Sequence, residues 1–250
     1  MIDDSRSIRQ QRLESAAAVS FIVLCIVGSV VGVAHLWERV GGTPLTVRAA
    51  VPKPPPRIPP LPAVPVDITG AISKGSPAAK VVVIGYSDFK CPYCRTFARD
   101  TWPDIDRKYV DTGKIRFVFR NLPLDQLHPF ARPLAQAGVC ADRQGKFWAF
   151  HDLLFERQAL LDTVELERAV KDAGLDSSKL QACLKSEAGR RVQDDEAAGR
   201  PLGVTGTPTF FVGIAQPDGK ILLKQRLSGA QPFAQFQAAV DKLLGEVGAQ

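Results

Sequence analysis

The feature of this chain that most constrains its fold is the motif Cys91-Pro92-Tyr93-Cys94, which stands between a predicted strand and a predicted helix. The strand is the apolar, β-branched run over residues 80–86, which is typical of a buried strand. The helix covers residues 92–110, where large apolar side chains recur at helical spacing and Pro103 predicts a kink. A second apolar run over residues 115–119 predicts the next strand. The order is therefore strand, cysteine pair, helix, strand.

The position of the pair favours a thiolate on its first sulfur. Cys91 is expected at the N-terminus of the helix, where unpaired N–H groups and the helix dipole stabilise negative charge. Lys90 and Arg95 add positive charge on either side. Pro92 suits the first helical turn, because the donor that it lacks has no partner there. Cys94 lies one turn further along, where it can resolve a mixed disulfide formed on Cys91.

The remainder of the folded part, which we take as residues 67–250, predicts helices followed by a hairpin. Residues 124–203 show helical periodicity with glycine breaks and no convincing strand. Apolar runs over residues 209–212 and 221–225 flank a Pro-Asp-Gly turn and predict a β-hairpin. An amphipathic helix over residues 232–244 follows. The sequence thus predicts an α/β fold with a βαβ unit, a helical insertion and a ββα end.

Two segments together resemble a known family: SDFKCPYCRTF around the cysteine pair and GVTGTPTFFVG much later in the chain. They are similar to the DsbA-type branch of the thioredoxin superfamily, the extracytoplasmic thiol:disulfide oxidoreductases. The resemblance covers nearly all of residues 66–250. It implies a thioredoxin-like fold with a helical insertion at about residues 124–203, an enzyme that acts on thiol-containing proteins, and no cofactor.

The resemblance also implies roles for individual residues. Cys91 corresponds to the exposed sulfur that is attacked, and Cys94 to the resolving sulfur. Thr207-Pro208 matches the family's cis-proline segment, which lies against the redox pair. The Thr207 backbone is expected to pair with a substrate strand, and Pro208 to shape the docking groove. The expected substrate-binding residues are Pro92, Tyr93, Thr207 and Pro208.

Two positions depart from the family pattern. The family often has a buried Glu six residues before the first cysteine, where it helps to move protons, and this chain has Gly85. Strongly oxidising members usually carry His at the third position of the motif, and this chain has Tyr93. Because a neutral residue stabilises the thiolate less, we expect a weaker oxidant than the extreme members, in which the pKa of the cysteine is about 3.5.

Cys140 and Cys183 both fall on predicted helices of the insertion. The two readings are a structural disulfide and a pair of free buried thiols. In an exported chain, where disulfides persist, the disulfide is favoured, and similar members of the branch support it. Such a bridge stabilises the fold by roughly 4 kcal/mol through loop-closure entropy.

The N-terminal part predicts a membrane anchor. No Asp, Glu, Lys or Arg occurs from Ser15 to Trp37. As a helix, this segment is long enough to cross a hydrocarbon core of about 30 Å. The prediction is a cytoplasmic N-terminus over residues 1–15, a transmembrane helix over residues 16–37 and a proline-rich linker over residues 38–66. The alternative is a cleaved signal peptide, for which Gly32-Val33-Ala34 offers a cleavage site of the small-x-small type. Both send the rest of the chain out of the cytoplasm, and the anchor places it at the bacterial inner membrane, facing the periplasm or the outside.

Other classes of function find less support. The formal net charge is +6, but Lys and Arg are scattered, so the charge does not indicate nucleic-acid binding. A closed zinc site needs two ligands beyond the CxxC, and no second such motif occurs, so no metal is expected. His128 is interpreted as a loop and helix-start residue, and His151 as a packed or surface residue.

The sequence therefore predicts a tethered, monomeric disulfide donor that is reset by a quinone-coupled membrane oxidase of the DsbB or VKOR type. The alternatives are a reductase or isomerase fed by a DsbD-like electron donor, and a non-catalytic chaperone or assembly factor that uses the fold to grip peptides. Only the non-catalytic protein is expected to work without Cys91 and Cys94.

Overall fold

A computed structural model describes residues 60–63 and 65–249 of the chain. The predicted cytoplasmic segment, the membrane helix and most of the proline-rich linker lie outside the described residues. None of the helices within the described ranges has the length and apolar character needed to cross a bilayer.

The centre of the described part is a five-stranded mixed sheet with the order β1-β3-β2-β4-β5. The strands are β1 (Ile72–Gly75), β2 (Val81–Ser87), β3 (Ile115–Asn121), β4 (Thr209–Ala215) and β5 (Ile221–Ser228). β2 and β3 are parallel, and the other neighbouring pairs are antiparallel. β2 is buried up to its last residue, as its continuous apolar run predicts, and the cysteine motif follows at its carboxyl end.

Eight α-helices lie within the described residues. They are α1 (Pro92–Asp100), α2 (Trp102–Ile105), α3 (Ala131–Asp142), α4 (Phe147–Glu156), α5 (Thr163–Asp172), α6 (Ser177–Ser186), α7 (Ala188–Gly199) and α8 (Phe233–Gly248). The predicted kink is a break at Thr101 between α1 and α2, and Pro103 lies in the first turn of α2, where its missing N–H costs no helical hydrogen bond. α2 continues into a π-helical turn over Asp106–Val110.

The sheet separates two apolar clusters. On one face, Phe97 of α1 packs against Phe210 of β4 and Phe236 of α8, with ring centroids 4.4 and 5.4 Å from that of Phe97. On the other face, Tyr86 and Phe211 pack with the segment that leads into β4. A third cluster forms the core of α3 to α7 and includes the cysteine pair. The cysteine motif therefore lies where the insertion meets the sheet.

The insertion is attached to the sheet by a buried carboxylate. Asp195 of α7 accepts hydrogen bonds from Arg120 Nη1 at 2.8 Å, from the Asn121 backbone N–H at 3.0 Å and from Asn121 Nδ2 at 2.9 Å. Arg120 and Asn121 end β3, beside the carboxyl end of β2. This contact fixes the insertion at the same end of the sheet as the redox motif.

The structure differs from the sequence-based prediction at β1. Ile72–Gly75 was not predicted as a strand, because only Ile72 in it is both large and apolar, and its ladder forms with β3, more than forty residues away. The hairpin strands β4 and β5 are longer than predicted, because their outer residues gain their hydrogen bonds from pairing and not from apolar burial.

A disulfide joins Cys140 of α3 to Cys183 of α6. The two cysteines are 43 residues apart, so the bridge closes a long loop within the insertion. In the unfolded chain such a bridge removes conformational entropy, and this is the main source of its stabilising effect.

We expect the double variant Cys140→Ala/Cys183→Ala to lower the free energy of unfolding by about 2–4 kcal/mol. The measurement is urea denaturation of the variant and of the parent, both carrying Cys91→Ala and Cys94→Ala so that only this bridge differs. Equal midpoints and equal slopes in the two proteins would contradict a structural role for the bridge.

Candidate active site

The helix α1 begins at the cysteine motif. Cys91 is its N-cap residue, with extended backbone angles (φ −74°, ψ 121°), and Pro92 occupies the first helical position. No side chain caps this helix end. The free N–H groups of the first turn are therefore directed at the Cys91 sulfur, as expected for a residue in this position.

The redox loop is held by the insertion through a buried amide. Gln158 Nε2 donates to the backbone oxygens of Phe89 at 2.8 Å and Cys91 at 3.0 Å. Both hydrogens of the amide are used, one on each side of Lys90. The Phe89 carbonyl follows the end of β2, and the Cys91 carbonyl also accepts from the Arg95 N–H at 3.2 Å, so Gln158 links the end of the strand to the start of α1.

Lys90 and Arg95 do not act as expected from the sequence. Lys90 Nζ donates to the carbonyls of Gln158 at 3.4 Å and Leu161 at 3.2 Å, and Arg95 Nε donates to the Phe155 carbonyl at 3.1 Å. These carbonyls lie at and after the C-terminal end of α4, which is the negative end of its dipole. The two cations thus tie the motif to the insertion instead of surrounding the Cys91 sulfur.

A second brace of the loop is a buried carboxylate that sequence reasoning missed. Asp88 accepts from the backbone N–H of Lys90 at 2.7 Å and of Leu124 at 2.9 Å, and lies 2.7 Å from His128 Nδ1. His128 is therefore more than a loop residue, since its ring is paired with an acid 40 positions earlier. Nothing in the local sequence of His128 indicates this pairing.

The two sulfurs have opposite acidities. The Cys91 pKa is lowered to about 6, chiefly by a hydrogen bond from the Cys94 side chain and also by the Thr207 side chain, against the opposing effect of burial. Burial raises the pKa of Cys94 well above its usual range. The reduced pair is therefore one stabilised thiolate beside one thiol that keeps its proton.

The structure brings the cis-proline segment to the same place. The Thr207-Pro208 peptide bond is cis. Cys91 Sγ lies 3.3 Å from the Thr207 carbonyl oxygen, to which the thiol donates. The Thr207 hydroxyl is buried without another partner, so the Cys91 thiolate is the acceptor available to it.

The exposure of the motif differs in part from expectation. Tyr93 is 66% exposed, and Pro92 is exposed beside it, so both lie on the rim of the pair. Cys91, predicted as the exposed sulfur, is only 3% exposed, and Cys94 is 1% exposed. The Thr207 segment packs over Cys91 and accounts for this difference.

Gly85 lies in the sheet behind the motif, and aromatic rings occupy the space beside it. A Cβ at Gly85 would meet Phe117 and Phe210 at 3.0 Å. The space for an acidic side chain at this position is thus filled by ring carbons. No group of three or more His, Cys, Asp or Glu side chains suited to a metal occurs within residues 60–63 and 65–249.

This combination of a thioredoxin-like sheet, a cysteine pair at a helix start and an adjacent cis-proline defines a class of thiol-disulfide exchange proteins. A sequence profile described as Thioredoxin matches residues 68–242. The chain belongs to this family.

Comparison with solved structures confirms the DsbA-type resemblance. Wolbachia pipientis alpha-DsbA1 is 25% identical, with a TM-score of 0.63 over 74% of this chain and 97% of that one. BdbD from Bacillus subtilis is 24% identical, with a TM-score of 0.60 over 73% of this chain and 97% of that one. The catalytic domain of Proteus mirabilis ScsC is 21% identical, with a TM-score of 0.57 over 70% of this chain and 89% of that one. The described part of the chain thus shares the DsbA-type fold of these proteins.

The curated relatives contain a similar segment within a larger protein. A Na(+)/H(+) antiporter NhaA 3 from Salinispora tropica is 40% identical over 151 residues, which is 60% of this chain and 22% of the antiporter. A Na(+)/H(+) antiporter NhaA from Herminiimonas arsenicoxydans is 36% identical over 140 residues, which is 56% of this chain and 22% of the antiporter. The chain thus spans about a fifth of the length of these relatives.

We expect Gln158→Leu to raise the pKa of Cys91 from about 6 by roughly half a unit or more, because both hydrogen bonds of the amide to the loop are lost and the first turn of α1 is held less firmly. The measurement is the rate of Cys91 alkylation by iodoacetamide between pH 4 and 9. Gln144→Leu is the matched control, since the Gln144 amide bonds the backbone of Asp176 far from the motif. A shift of equal size in both variants would contradict a specific role for Gln158.

Proposed function

We propose that this protein donates disulfides to polypeptides outside the cytoplasm, using Cys91 and Cys94 as its redox pair and an N-terminal helix as its membrane anchor. The observation that carries the proposal is the unequal acidity of the two sulfurs at the start of α1. One is held as a thiolate near neutral pH and the other is a buried thiol.

The geometry supports a two-step exchange. A client thiolate attacks Cys91 Sγ of the oxidised pair, the Cys91–Cys94 bond breaks, and the Cys94 sulfur takes up a proton. A second client thiolate then attacks the client sulfur of the mixed disulfide, and Cys91 leaves as a stabilised thiolate. The client loses two electrons and the enzyme gains them.

The acidity of Cys91 favours this direction over reduction. Stabilising the thiolate stabilises the reduced enzyme, and this makes the disulfide a stronger oxidant. The Cys91 pKa of about 6 lies between that of thioredoxin, about 7, and that of the strongest oxidants, about 3.5. We therefore assign the pair as an oxidant of intermediate strength, in agreement with Tyr93 in place of the His of stronger members.

The distribution of apolar surface supports a polypeptide client. The large apolar side chains that are exposed among the described residues are Tyr93, Leu127, Leu160 and Val164, here named the apolar rim. Three of them belong to segments at the cysteine motif: Tyr93 is part of it, Leu127 precedes the His128 that pairs with Asp88, and Leu160 lies between the two residues whose carbonyls bind Lys90. Exposed apolar side chains in these segments are suited to unfolded chains, whose own apolar side chains are exposed.

The membrane location rests on the sequence and on the relatives. Residues 16–37 have the length and composition of a membrane helix. In the antiporter relatives, a similar segment is part of a protein whose named activity requires a membrane. The redox partner consistent with this placement is a membrane oxidase of the DsbB or VKOR type, and we expect the enzyme to act as a monomer without a cofactor.

The redox role predicts a defined potential and a trapped intermediate. Equilibration of the full chain with glutathione buffers, with Cys91 and Cys94 read out by alkylation and mass spectrometry, is expected to give a value less negative than about −200 mV. Cys94→Ala is expected to accumulate a mixed disulfide with a reduced two-cysteine peptide after mild oxidation, and Cys91→Ala to form none.

The same assays discriminate the alternatives. A potential near that of thioredoxin, about −270 mV, would identify a reductase or isomerase and a DsbD-like donor. Full activity in vivo of the Cys91→Ala/Cys94→Ala variant would identify a tethered chaperone instead.

For the location, fusion of alkaline phosphatase after Gln250 is expected to give an active enzyme in a bacterial host, because phosphatase needs an oxidising compartment. The fusion is expected to stay in the membrane fraction after alkaline washing and to keep residues 16–37. A green fluorescent protein fusion at the same point serves as the opposite reporter. A soluble fusion that begins near Val33 would establish the cleaved signal peptide.

A further inference from the structure

The exchange poses a problem of proton transfer at Cys94. If the proposed function holds, Cys94 releases or receives a proton each time that the disulfide with Cys91 forms or breaks. Cys94 is only 1% exposed, and burial raises the pKa of its thiol. Direct exchange with bulk water is thus obstructed, and the protein has to supply a route.

A small internal cavity lies behind the pair. It has a volume of about 10 Å3, which is space for about one water molecule. The lining consists mainly of aromatic rings, and its one titratable side chain is His151. Ser87 also lines it, and a hydrogen bond of the Ser87 side chain opposes the rise in the Cys94 pKa that burial causes. The cavity therefore has a link to the buried thiol on one side and an imidazole on the other.

His151 is itself connected to solvent. It belongs to α4 and is 4% exposed, and its Nδ1 lies 2.8 Å from Asp152 Oδ1. The Asp152 side chain is 68% exposed and lines an open surface pocket of about 430 Å3. Trp102 and Phe155 line both this pocket and the internal cavity, so only one layer of side chains separates the two.

We infer that His151 is the proton acceptor and donor for Cys94, acting through the Ser87 hydroxyl and one water in the internal cavity, with Asp152 passing the proton to solvent. An imidazole suits this task because it is the side chain whose charge changes closest to neutral pH. The imidazole lines the cavity, and its Nδ1 is held by Asp152, so the route assigns the other nitrogen, Nε2, to the cavity water.

In the forming direction, the Cys94 thiol transfers its proton to Ser87, which passes its own proton through the water to His151. The Cys94 sulfur then attacks Cys91 Sγ of a mixed disulfide. The bond between Cys91 and the client sulfur breaks, the Cys91–Cys94 bond forms, and the client leaves as a thiolate. In the breaking direction, Cys94 leaves Cys91 and receives the proton from the imidazolium by the same route. No further oxidant or reductant takes part.

A carboxylate next to the motif, that of Asp88, does not line the cavity. Asp88 Oδ1 accepts from the Lys90 N–H, and Asp88 Oδ2 accepts from the Leu124 N–H and lies against His128. These contacts use the carboxylate to brace the loop. The cavity lining contains no carboxylate.

The charges that act on His151 lie on the side of the surface pocket. The other rings that pack against the imidazole are uncharged: Phe89, Phe119, Phe147, Trp148 and Phe155. The charged residues that line the pocket are Arg95 and Arg99 of α1, Asp106 of the turn after α2, and Asp152 and Glu156 of α4. Of these, Asp152 contacts the ring directly.

The test separates the two sulfurs. The reduced full chain in detergent is mixed with excess oxidised glutathione at pH 5 to 9, quenched with acid, and analysed by mass spectrometry for the mixed disulfide and for the closed Cys91–Cys94 pair. In His151→Phe we expect formation of the mixed disulfide within twofold of wild type. We expect its resolution by Cys94 to be at least tenfold slower at pH 7. A general base usually contributes a factor of about 100 to 10,000, so a tenfold loss is a conservative threshold.

The pH dependence of the resolution rate distinguishes the two possible roles of His151. A role in packing alone would leave the shape of this profile unchanged. In wild type the resolution rate is expected to level off once the imidazole is neutral. In His151→Phe it is expected to rise throughout the range, because hydroxide replaces the imidazole. Phe147→Leu, which alters a ring that packs on His151 but does not line the cavity, is the matched control and is expected to keep the wild-type profile.

The outcomes are distinguishable. If wild type forms no mixed disulfide or never resolves it, the proposed function fails and the inference with it. If wild type resolves it and His151→Phe does so at the same rate and with the same profile, the inference alone is overturned. If His151→Phe does not fold, Ser87 decides: slow resolution in Ser87→Ala with a normal rate in Ser87→Thr supports the route, and equal rates in both overturn it.

Discussion

The hydrogen bonds of the Gln158 amide with the loop carbonyls on both sides of Lys90 are the interaction on which the site depends most. The loop leaves the sheet at the end of β2, so these carbonyls have no partner in a strand, and a buried carbonyl without a donor is costly. Gln158 supplies the donor for the Phe89 carbonyl and a second donor for the Cys91 carbonyl, which also accepts from the Arg95 N–H of α1. The start of α1, and with it the Cys91 sulfur, is positioned only when the insertion is folded against the sheet.

The second constraint is the difference in environment between two identical side chains one helical turn apart. Cys91 faces the free N–H groups of α1 and the Thr207 segment, and these favour its negative charge. Cys94 belongs to the core that Ile72 of β1 and Phe119 of β3 share with the insertion, where burial favours its neutral form. The asymmetry that gives the pair its chemistry is thus a consequence of where the helix starts relative to the sheet, with no cationic side chain at the sulfur.

The local elements of the fold were accessible from the sequence, and the long-range pairings were not. The run before the motif identified β2, and the spacing in residues 124–203 identified the helices of the insertion. β1 was missed because its short polar segment becomes a strand only by pairing with β3. The pairing of His128 with Asp88 and the contacts of Lys90 and Arg95 with the insertion were missed for the same reason, since each joins residues distant in sequence.

The sequence by itself determined the class of protein: a cysteine pair at a helix start and a Thr-Pro segment before a strand define the reactive groups, because these signals are local. Only the tertiary structure decided how those groups are controlled. It placed Cys91 under Thr207 with 3% exposure, braced the loop through Gln158 and Asp88, and put His151 beside the cavity behind Cys94. These arrangements depend on packing between the insertion and the sheet, and no local pattern encodes distances across that interface.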